Sequence, residues 1–225
     1  MITPLRINRR SSLALRLLTA FACAASLLSL PISADDDTPT ETPLMAVGMP
    51  NLGWTFDNGQ EFKGATGSLA IDPDNKHGDN DALKLTGDFT GGGAYVQASC
   101  RVPGINIDKL TIWYRSPSSG TMTLRLIDET DQCHQIKIRI DAGSNWEKVV
   151  LPVAAYFAGR EPNKRQDVDI VNDYQNWGGA NDKKWHGACK GLSILTGPTA
   201  AEKTVSLWLA DVTVTTKPPP PTDAP

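Results

Sequence analysis

The feature that most constrains this chain is a series of short runs in which apolar and polar residues alternate, separated by turn residues. Such runs cover 68–71, 82–85, 94–102, 110–115, 122–127, 135–140, 146–153, 192–195 and 205–214. A period of two residues is that of a β-strand with one buried face, and few stretches here have the helical period. Many short strands divided by turns predict an all-β fold, in which two antiparallel sheets form a β-sandwich.

The first 34 residues have the composition of a secretion signal peptide. Arg6, Arg9 and Arg10 form a basic start, an apolar stretch follows, and Ile32-Ser33-Ala34 offers small residues for cleavage. The sequence therefore predicts export, to a secreted, periplasmic or cell-surface location. The paired arginines leave twin-arginine export open, but Ser11-Ser12 replace the hydrophobic residues that usually follow such a pair, so ordinary secretion is favoured.

The regions flanking the predicted domain have compositions that cannot form a core. Residues 35–44 are acidic and rich in threonine and proline, which predicts a disordered linker, and residues 217–225 form a proline-rich tail. The domain between them is predicted to span residues 45–216. The net charge of −3 becomes more negative when the arginine-containing leader is removed, which argues against nucleic acid or anionic membranes as partners.

One long irregular segment, 156–188, interrupts the strand pattern and contains a glycine-rich stretch with two indoles. Trp177 and Trp185 stand there beside Asn181, Asp182 and His186. A connecting loop has little use for large aromatic rings, whereas a sugar-binding loop needs flat apolar faces together with fixed polar groups. We therefore expect a long functional loop that binds a sugar; the alternative is that the indoles fold inward and cover the core.

Alternation also sorts the strand residues into two faces. The apolar set is Leu110, Ile112, Tyr114, Met122, Leu124, Leu126, Ile136, Ile138 and Ile140; the opposite set is Trp113, Arg115, Arg125, Gln135, Lys137 and Arg139, with Tyr95 and Gln97 as expected neighbours. Aromatic rings, guanidinium groups and amides on one face are typical of a sugar-binding cleft. We therefore predict that Tyr95, Trp113, Arg125 and Gln135 contact the ligand; the alternative is a solvated sheet face with one stray indole.

Strand parity also suggests how the cysteines of the predicted domain pair. Cys133 shares a face with Gln135, Cys189 lies opposite Leu192 and Ile194, and Cys100 has the apolar parity. This favours a Cys133–Cys189 disulfide and a buried Cys100 thiol in an exported protein. A single β-bulge would reverse the assignment.

Several motifs together resemble galactose-binding-like jelly-roll domains, in particular the family-11 carbohydrate-binding modules that accompany bacterial glycoside hydrolases. They are Trp54-Thr55-Phe56-Asp57, Gly64-Ala65-Thr66-Gly67-Ser68-Leu69, Gly92-Gly93-Ala94-Tyr95-Val96, 125–128, 132–135, 177–182 and Leu209-Ala210-Asp211-Val212. The resemblance implies a jelly roll that binds polysaccharide or glycoconjugate without catalysis, with a separate glycoside hydrolase or surface protein as a further partner.

The same resemblance implies a structural calcium ion near the first and last strands. The matching positions are Asp57, Asp79 and Asp211. Carboxylate oxygens are suitable Ca²⁺ ligands, although Asp and Asn beside Gly are also ordinary turn residues.

Two other classes of function remain open at the level of sequence. A β-sandwich hydrolase or lyase would use acids and histidines such as Asp128, Glu129, Asp131, Asp182, His134 and His186. Residues 128–131, however, occupy an apparent hairpin turn, where acids serve turn geometry, so we expect no enzyme activity. An adhesive or architectural surface protein is the third class.

Overall fold

The computed structural model describes residues 39–44, 53–157 and 170–216. Its strands are β1 (Glu41–Pro43), β2 (Trp54–Asp57), β3 (Thr66–His77), β4 (Asn80–Asp88), β5 (Val96–Ile105), β6 (Ile107–Arg115), β7 (Gly120–Ile127), β8 (Cys133–Ile140), β9 (Glu147–Pro152), β10 (Ile170–Trp177), β11 (Cys189–Thr196) and β12 (Thr204–Thr216). A one-turn helix, α1 (Val153–Tyr156), follows β9. Within the described ranges no helix is long and apolar enough to cross a membrane.

The described strands form two six-stranded antiparallel sheets. The back sheet has the order β3-β4-β12-β6-β9, with β1 paired to β12, and the front sheet has the order β10-β8-β7-β11-β5-β2. The two sheets enclose a shared apolar core. The predicted all-β, two-sheet sandwich is therefore confirmed.

The core is built from the residues that alternation assigned to it. Ile112 of β6, Leu124 of β7 and Ile136 of β8 have almost no exposed surface. The residues next to them on each strand, Trp113, Arg125 and Gln135, are partly exposed on the outer faces. Truncating such a side chain to alanine typically costs about 2–5 kcal/mol, because a cavity remains. This burial is what forces the polar and aromatic alternates onto the two outer faces of the sandwich.

Two parts of the predicted organisation are wrong. Residues 41–43, assigned to a disordered linker, form β1 and pair with residues 213–215 of β12. The segment 156–188, predicted to be irregular, contains β10, which pairs with β8 at the edge of the front sheet. The predicted signal peptide and the proline-rich tail lie outside the described residues.

The predicted Cys133–Cys189 disulfide is absent from the structure, in which Cys100, Cys133 and Cys189 are all buried thiols. A register shift between Cys189 and Gly191 turns Cys189 into the apolar core. Cys133 instead keeps the parity of Gln135 and pairs with Trp177. This bulge reverses the parity of Cys189, while the prediction of a buried Cys100 thiol is confirmed.

Candidate functional site

A row of polar side chains crosses the outer face of the front sheet. The strand register places one residue of each strand in this row: Thr55, Ser99, Ser193, Arg125, Gln135 and Gln175. The hydroxyls of Ser99 and Ser193 are 2.8 Å apart, and Gln135 Nε2 donates to Gln175 Oε1 at 2.6 Å. Hydrogen bonds therefore link Ser99 to Ser193 in one half of the row, and Gln135 to both Arg125 and Gln175 in the other.

Arg125 organises the centre of this face. Its Nε donates to Gln135 Oε1 at 2.6 Å, and its guanidinium carbon lies 5.0 Å from the ring centroid of Tyr95 and 5.4 Å from that of Trp177. A guanidinium between two aromatic rings is attracted to both faces and is held in one orientation. The structure thus brings together four of the predicted binding residues, Tyr95, Arg125, Gln135 and Trp177.

The rings on either side of Arg125 differ in their exposure and support. Trp177, at the end of β10, is 42% exposed. Tyr95 is half-buried, donates its hydroxyl hydrogen to Glu61 and meets the edge of the Phe62 ring at 6.1 Å between centroids. Trp177 is therefore the more open of the two rings, and Tyr95 is the more firmly held.

A cleft of about 940 Å³ continues the same face toward the far edge of the sheet. Thr55, Ser99 and Ser193 line it, together with Arg101 and Lys190. Because the polar row joins this cleft to Arg125, the front face offers hydrogen-bonding groups from one edge of the sheet to the other. An extended ligand could contact the whole row.

Trp185, predicted to contact the ligand, lies partly buried against the core instead. Its ring centroid is 5.0 Å from that of His134, and its Nε1 donates to the Gly187 carbonyl at 2.9 Å. Trp185 therefore folds inward against the core, as the alternative interpretation of the two indoles expected. Trp177 alone of the two indoles offers an open face.

The polar side chains of the tryptophan loop, residues 178–188, are hydrogen-bonded to one another and to neighbouring elements. His186 Nε2 lies 3.0 Å from Asp182 Oδ1, and Asn176 donates to Asn181 Oδ1 at 3.1 Å. The hydrogen bonds from His186 and from the Lys184 backbone lower the pKa of Asp182 to about 2. Asn181, Asp182 and His186 therefore shape the loop, and their polar groups are already partnered within it or by Asn176 of β10.

A buried hydrogen-bonded chain anchors this loop to the β7–β8 turn. His134 Nδ1 is 2.5 Å from the Tyr174 hydroxyl, and His134 Nε2 is 3.0 Å from Asp128 Oδ2, which also accepts from the His186 backbone at 3.1 Å. Because an ionised carboxylate can only accept, His134 carries its proton on Nε2 and accepts from Tyr174. From the sequence alone, Asp128 and His134 are expected only as turn or catalytic residues.

Burial and the hydrogen-bonded partners act in opposite directions on the pKa values of Asp128 and His134. Burial alone would raise the pKa of Asp128, but hydrogen bonds from His134, Thr130 and the Gln132 backbone outweigh it and lower the pKa to about 2. Burial also lowers the pKa of His134, which the Asp128 charge offsets only in part. Both side chains are fully buried, so neither can contact a bound polysaccharide in this conformation.

Trp113 does not belong to the front face. It lies on β6, in the back sheet, and its ring stacks on His77 with centroids 4.1 Å apart. Parity correctly predicted that Trp113 points away from the core. It could not predict that β6 lies in the other sheet from β7 and β8, so the prediction that Trp113 joins Arg125 and Gln135 is wrong.

The three acids predicted to bind calcium do not fit the ion as a set. Asp211 accepts hydrogen bonds from His77 and Asn80 at the β3–β4 turn, next to Asp79. Asp57 lies near the opposite end of β4, a strand of nine residues, roughly 27 Å long at the usual rise per residue. The described residues contain no cluster of three or more His, Cys, Asp or Glu side chains suited to a metal.

Several front-face residues are not among the predicted ligand contacts, although Gln97 was expected on this face. Gln97 accepts from Arg125 Nη1 at 3.5 Å, and Gln175 extends the polar row. Glu61 and Phe62 reach the face from the loop before β3. The parity of Gln97 was a usable signal, whereas Gln175 required β10 to be recognised, and nothing local marked Glu61 or Phe62.

No model of a known protein family matches the chain, and no curated protein matches it either. The prediction of family-11 membership is therefore neither confirmed nor contradicted. Likeness is found among solved structures instead.

The structure aligns with part of an agarase at a TM-score of 0.51 and 13% identity, covering 79% of this chain and 25% of the agarase. A family 30 carbohydrate-binding module aligns at a TM-score of 0.42 and 12% identity, covering 82% of this chain and 88% of the module. A variant of a family 29 carbohydrate-binding module aligns at a TM-score of 0.41 and 12% identity, covering 79% of this chain and 92% of the module. The chain spans about a quarter of the length of the agarase, with which it shares a β-sandwich fold.

Proposed function

We propose that this chain is an exported, non-catalytic carbohydrate-binding domain whose ligand lies on the outer face of the front sheet. The observation that carries the proposal is the guanidinium of Arg125, held between Tyr95 and Trp177 within a continuous polar row. A pyranose ring has apolar C–H faces and a rim of hydroxyls, so it needs both kinds of partner at once. The fold shared with part of an agarase is consistent with a sugar-related role.

The energetics favour modest affinity. Covering the open face of Trp177 removes apolar surface from water, worth about 25 cal/mol per Å². The hydroxyl contacts with Gln97, Gln135 and Gln175 exchange protein–water for protein–sugar hydrogen bonds, so they orient the ring more than they add binding energy. The remaining stabilisation comes from the number of sugar units that lie along the row.

The non-catalytic part of the proposal is supported by the state of the acids considered for catalysis. Asp128 is enclosed with His134, and Asp182 is engaged by His186. A hydrolase or lyase would need such groups at the face where the polysaccharide lies. Release of reducing ends or unsaturated products by the pure protein would contradict this part alone.

The test is affinity gel electrophoresis against agarose, soluble cellulose, β-glucan and xylan. We expect retardation by at least one of them, and we expect Trp177→Ala to abolish it. Ile71→Ala is the control, because it removes an exposed apolar side chain from the back sheet. Equal retardation of both variants would contradict the proposed face, and no retardation by any glycan would contradict carbohydrate binding.

A further inference from the structure

The outer face of the back sheet carries three half-buried indoles. Trp208 of β12 stands in register between Lys84 of β4 and Arg115 of β6. Trp113 lies on β6, and Trp146 comes just before β9. Half of the six tryptophans of the chain are therefore on the face opposite the proposed glycan site.

Cations lie against each of these rings. The guanidinium carbon of Arg115 is 5.3 Å from the Trp146 centroid and 5.0 Å from that of Trp208. The ammonium of Lys84 is 4.8 Å from the Trp208 centroid, and Lys148 is 5.6 Å from that of Trp113. An arginine between two aromatic rings thus occurs on both outer faces of the sandwich.

The acids described on this face leave its cations without a close ion pair, although the charge of Asp72 interacts with that of Lys84 at longer range. Asp72 accepts from Trp208 Nε1 at 2.8 Å and from Asn75 Nδ2 at 2.8 Å, and Asp211 is engaged by His77 and Asn80. Across the described ranges, no ion pair within 4.0 Å involves a cation at these rings, Lys84, Arg115 or Lys148. A ligand that brings negative charge would be stabilised here.

An open cleft of about 500 Å³ reaches the guanidinium. Arg115 and Trp208 line it together with Asn75, Pro117 and Ser144. Arginine has five N–H donors in a planar fork, and Asn75 accepts from one of them. Such a fork matches the two oxygens of a carboxylate or sulfate, while the indole edge and Pro117 offer apolar contact.

We propose that this cleft is a second glycan-binding site, for sugar units that carry a carboxylate or a sulfate ester. Arg115 binds the anionic group, Lys84 and Lys148 add long-range attraction, and the indoles hold the guanidinium in place. The site is separate from the front face, so the two can be tested independently. The domain would then hold two polysaccharide chains on opposite sides.

The experiment is affinity gel electrophoresis of the full protein with polygalacturonate as the carboxylate probe and λ-carrageenan as the sulfate probe. We expect retardation by one or both, weakening as salt is added, and a loss of about tenfold in affinity for Arg115→Gln. Lys109→Gln is the matched control, because it removes a cation from the same strand and face beside Asp108. The stronger probe identifies the anionic group.

Trp177→Ala separates this site from the front face. We expect it to leave retardation by the anionic probes unchanged, and Arg115→Gln to leave binding of neutral glycans unchanged. Arg115→Lys keeps the charge but loses the fork, and we expect a partial loss in a variant that melts normally. The proposal is overturned if neither probe binds, if Arg115→Gln and Arg115→Lys match Lys109→Gln, or if Trp177→Ala removes anionic binding as well.

Discussion

At the scale of single residues, the front face depends on one guanidinium. Arg125 touches two aromatic rings and two amides, and it links the exposed Trp177 to the supported Tyr95. Its planar shape is what permits contact with both rings at once. The geometry therefore predicts that a lysine, which keeps the positive charge but not the planar group, does not replace Arg125.

Arg125→Lys is expected to weaken binding of the glycan that the wild-type protein recognises by about tenfold, since an ammonium cannot stack as a plane or keep the Gln135 bond in the same geometry. Isothermal titration measures the change. Arg139→Lys, on the exposed part of β8, serves as the control and should bind as the wild type does. An Arg125→Lys variant with wild-type affinity would show that the sandwiched guanidinium has no role in binding.

Asp128 predicts how stability depends on pH. Its folded pKa of about 2 lies below the ordinary 3.8, so its contribution is complete above pH 4 and is lost as the pH falls toward 2, about 2 kcal/mol in total. His134 acts in the same direction from higher pH, because its lowered pKa means that the folded state resists protonation below about pH 6.5. We expect the free energy of unfolding to decrease as the pH falls below about 6.5, where His134 acts, and again as it falls from about 4 toward 2, where Asp128 acts.

Urea unfolding at a series of pH values measures this dependence. Asp128→Asn should be less stable than the wild type at pH 7 and should lose the step between pH 4 and 2, because the titrating carboxylate is gone. Asp74→Asn, an exposed acid of β3, should keep that step. A wild-type profile retained by Asp128→Asn would show that the buried carboxylate does not set acid stability.

At the scale of elements, the tryptophan loop is held by the β7–β8 turn. Gln132 is fully buried; its Nε2 donates to the Lys184 carbonyl at 2.7 Å, and its Oε1 accepts from Asn176 Nδ2 at 3.0 Å. One side chain therefore joins the turn both to the loop and to the end of β10. Trp177, the next residue along β10, depends on this bond for its position.

Gln132→Ala is expected to loosen the loop before it unfolds the domain. Amide hydrogen exchange should speed up over residues 178–188 while the core strands β7 and β12 stay protected. Glycan affinity should fall with it, since Trp177 loses its support. Gln60→Ala, an exposed glutamine outside the turn, is the control; exchange that is unchanged in Gln132→Ala, or faster throughout the domain, would contradict a local role.

The cysteines test the bulge in β11. Burial raises the pKa of Cys133 to about 11 and that of Cys100 and Cys189 to about 12, so all three should react slowly with a thiol reagent at pH 8 and rapidly after unfolding. Peptide mapping of the purified protein without reductant should show three unlinked cysteines. A peptide joining Cys133 to Cys189 would mean that the register near Gly191 differs from the structure.

Strand parity determined most of what could be predicted, because the direction of a side chain depends only on local alternation. It correctly separated Ile112 and Leu124 from Arg115 and Arg125. The pairing of distant strands is a long-range property, so Trp113 was placed on the wrong sheet. A single bulge, as at Cys189, reverses parity without any local sign, and β10 lacked the clear alternation that would have revealed it.

At the scale of the whole molecule, calcium binding stays a prediction. Substitutions at the two ends of the sandwich can show where the ion lies. An ion that binds only the folded state raises the melting temperature, so a chelator should lower it. We expect Asp211→Ala to remove that sensitivity and Asp57→Ala to keep it, because Asp57 lies at the other end of β4. Differential scanning calorimetry with and without EDTA measures the effect; a curve that EDTA leaves unchanged would contradict a stabilising ion.

The neutral glycan is assigned to the outer face of the front sheet, and indole NMR tests this assignment most directly. Titrating the neutral oligosaccharide that corresponds to the retarding polysaccharide, while following the six indole N–H signals, should shift the Trp177 signal first. The Trp54 signal, from a buried ring whose Nε1 donates to the Leu44 carbonyl at 2.9 Å, should stay in place. A titration that moves Trp113, Trp146 or Trp208 and leaves Trp177 unchanged would contradict the central claim.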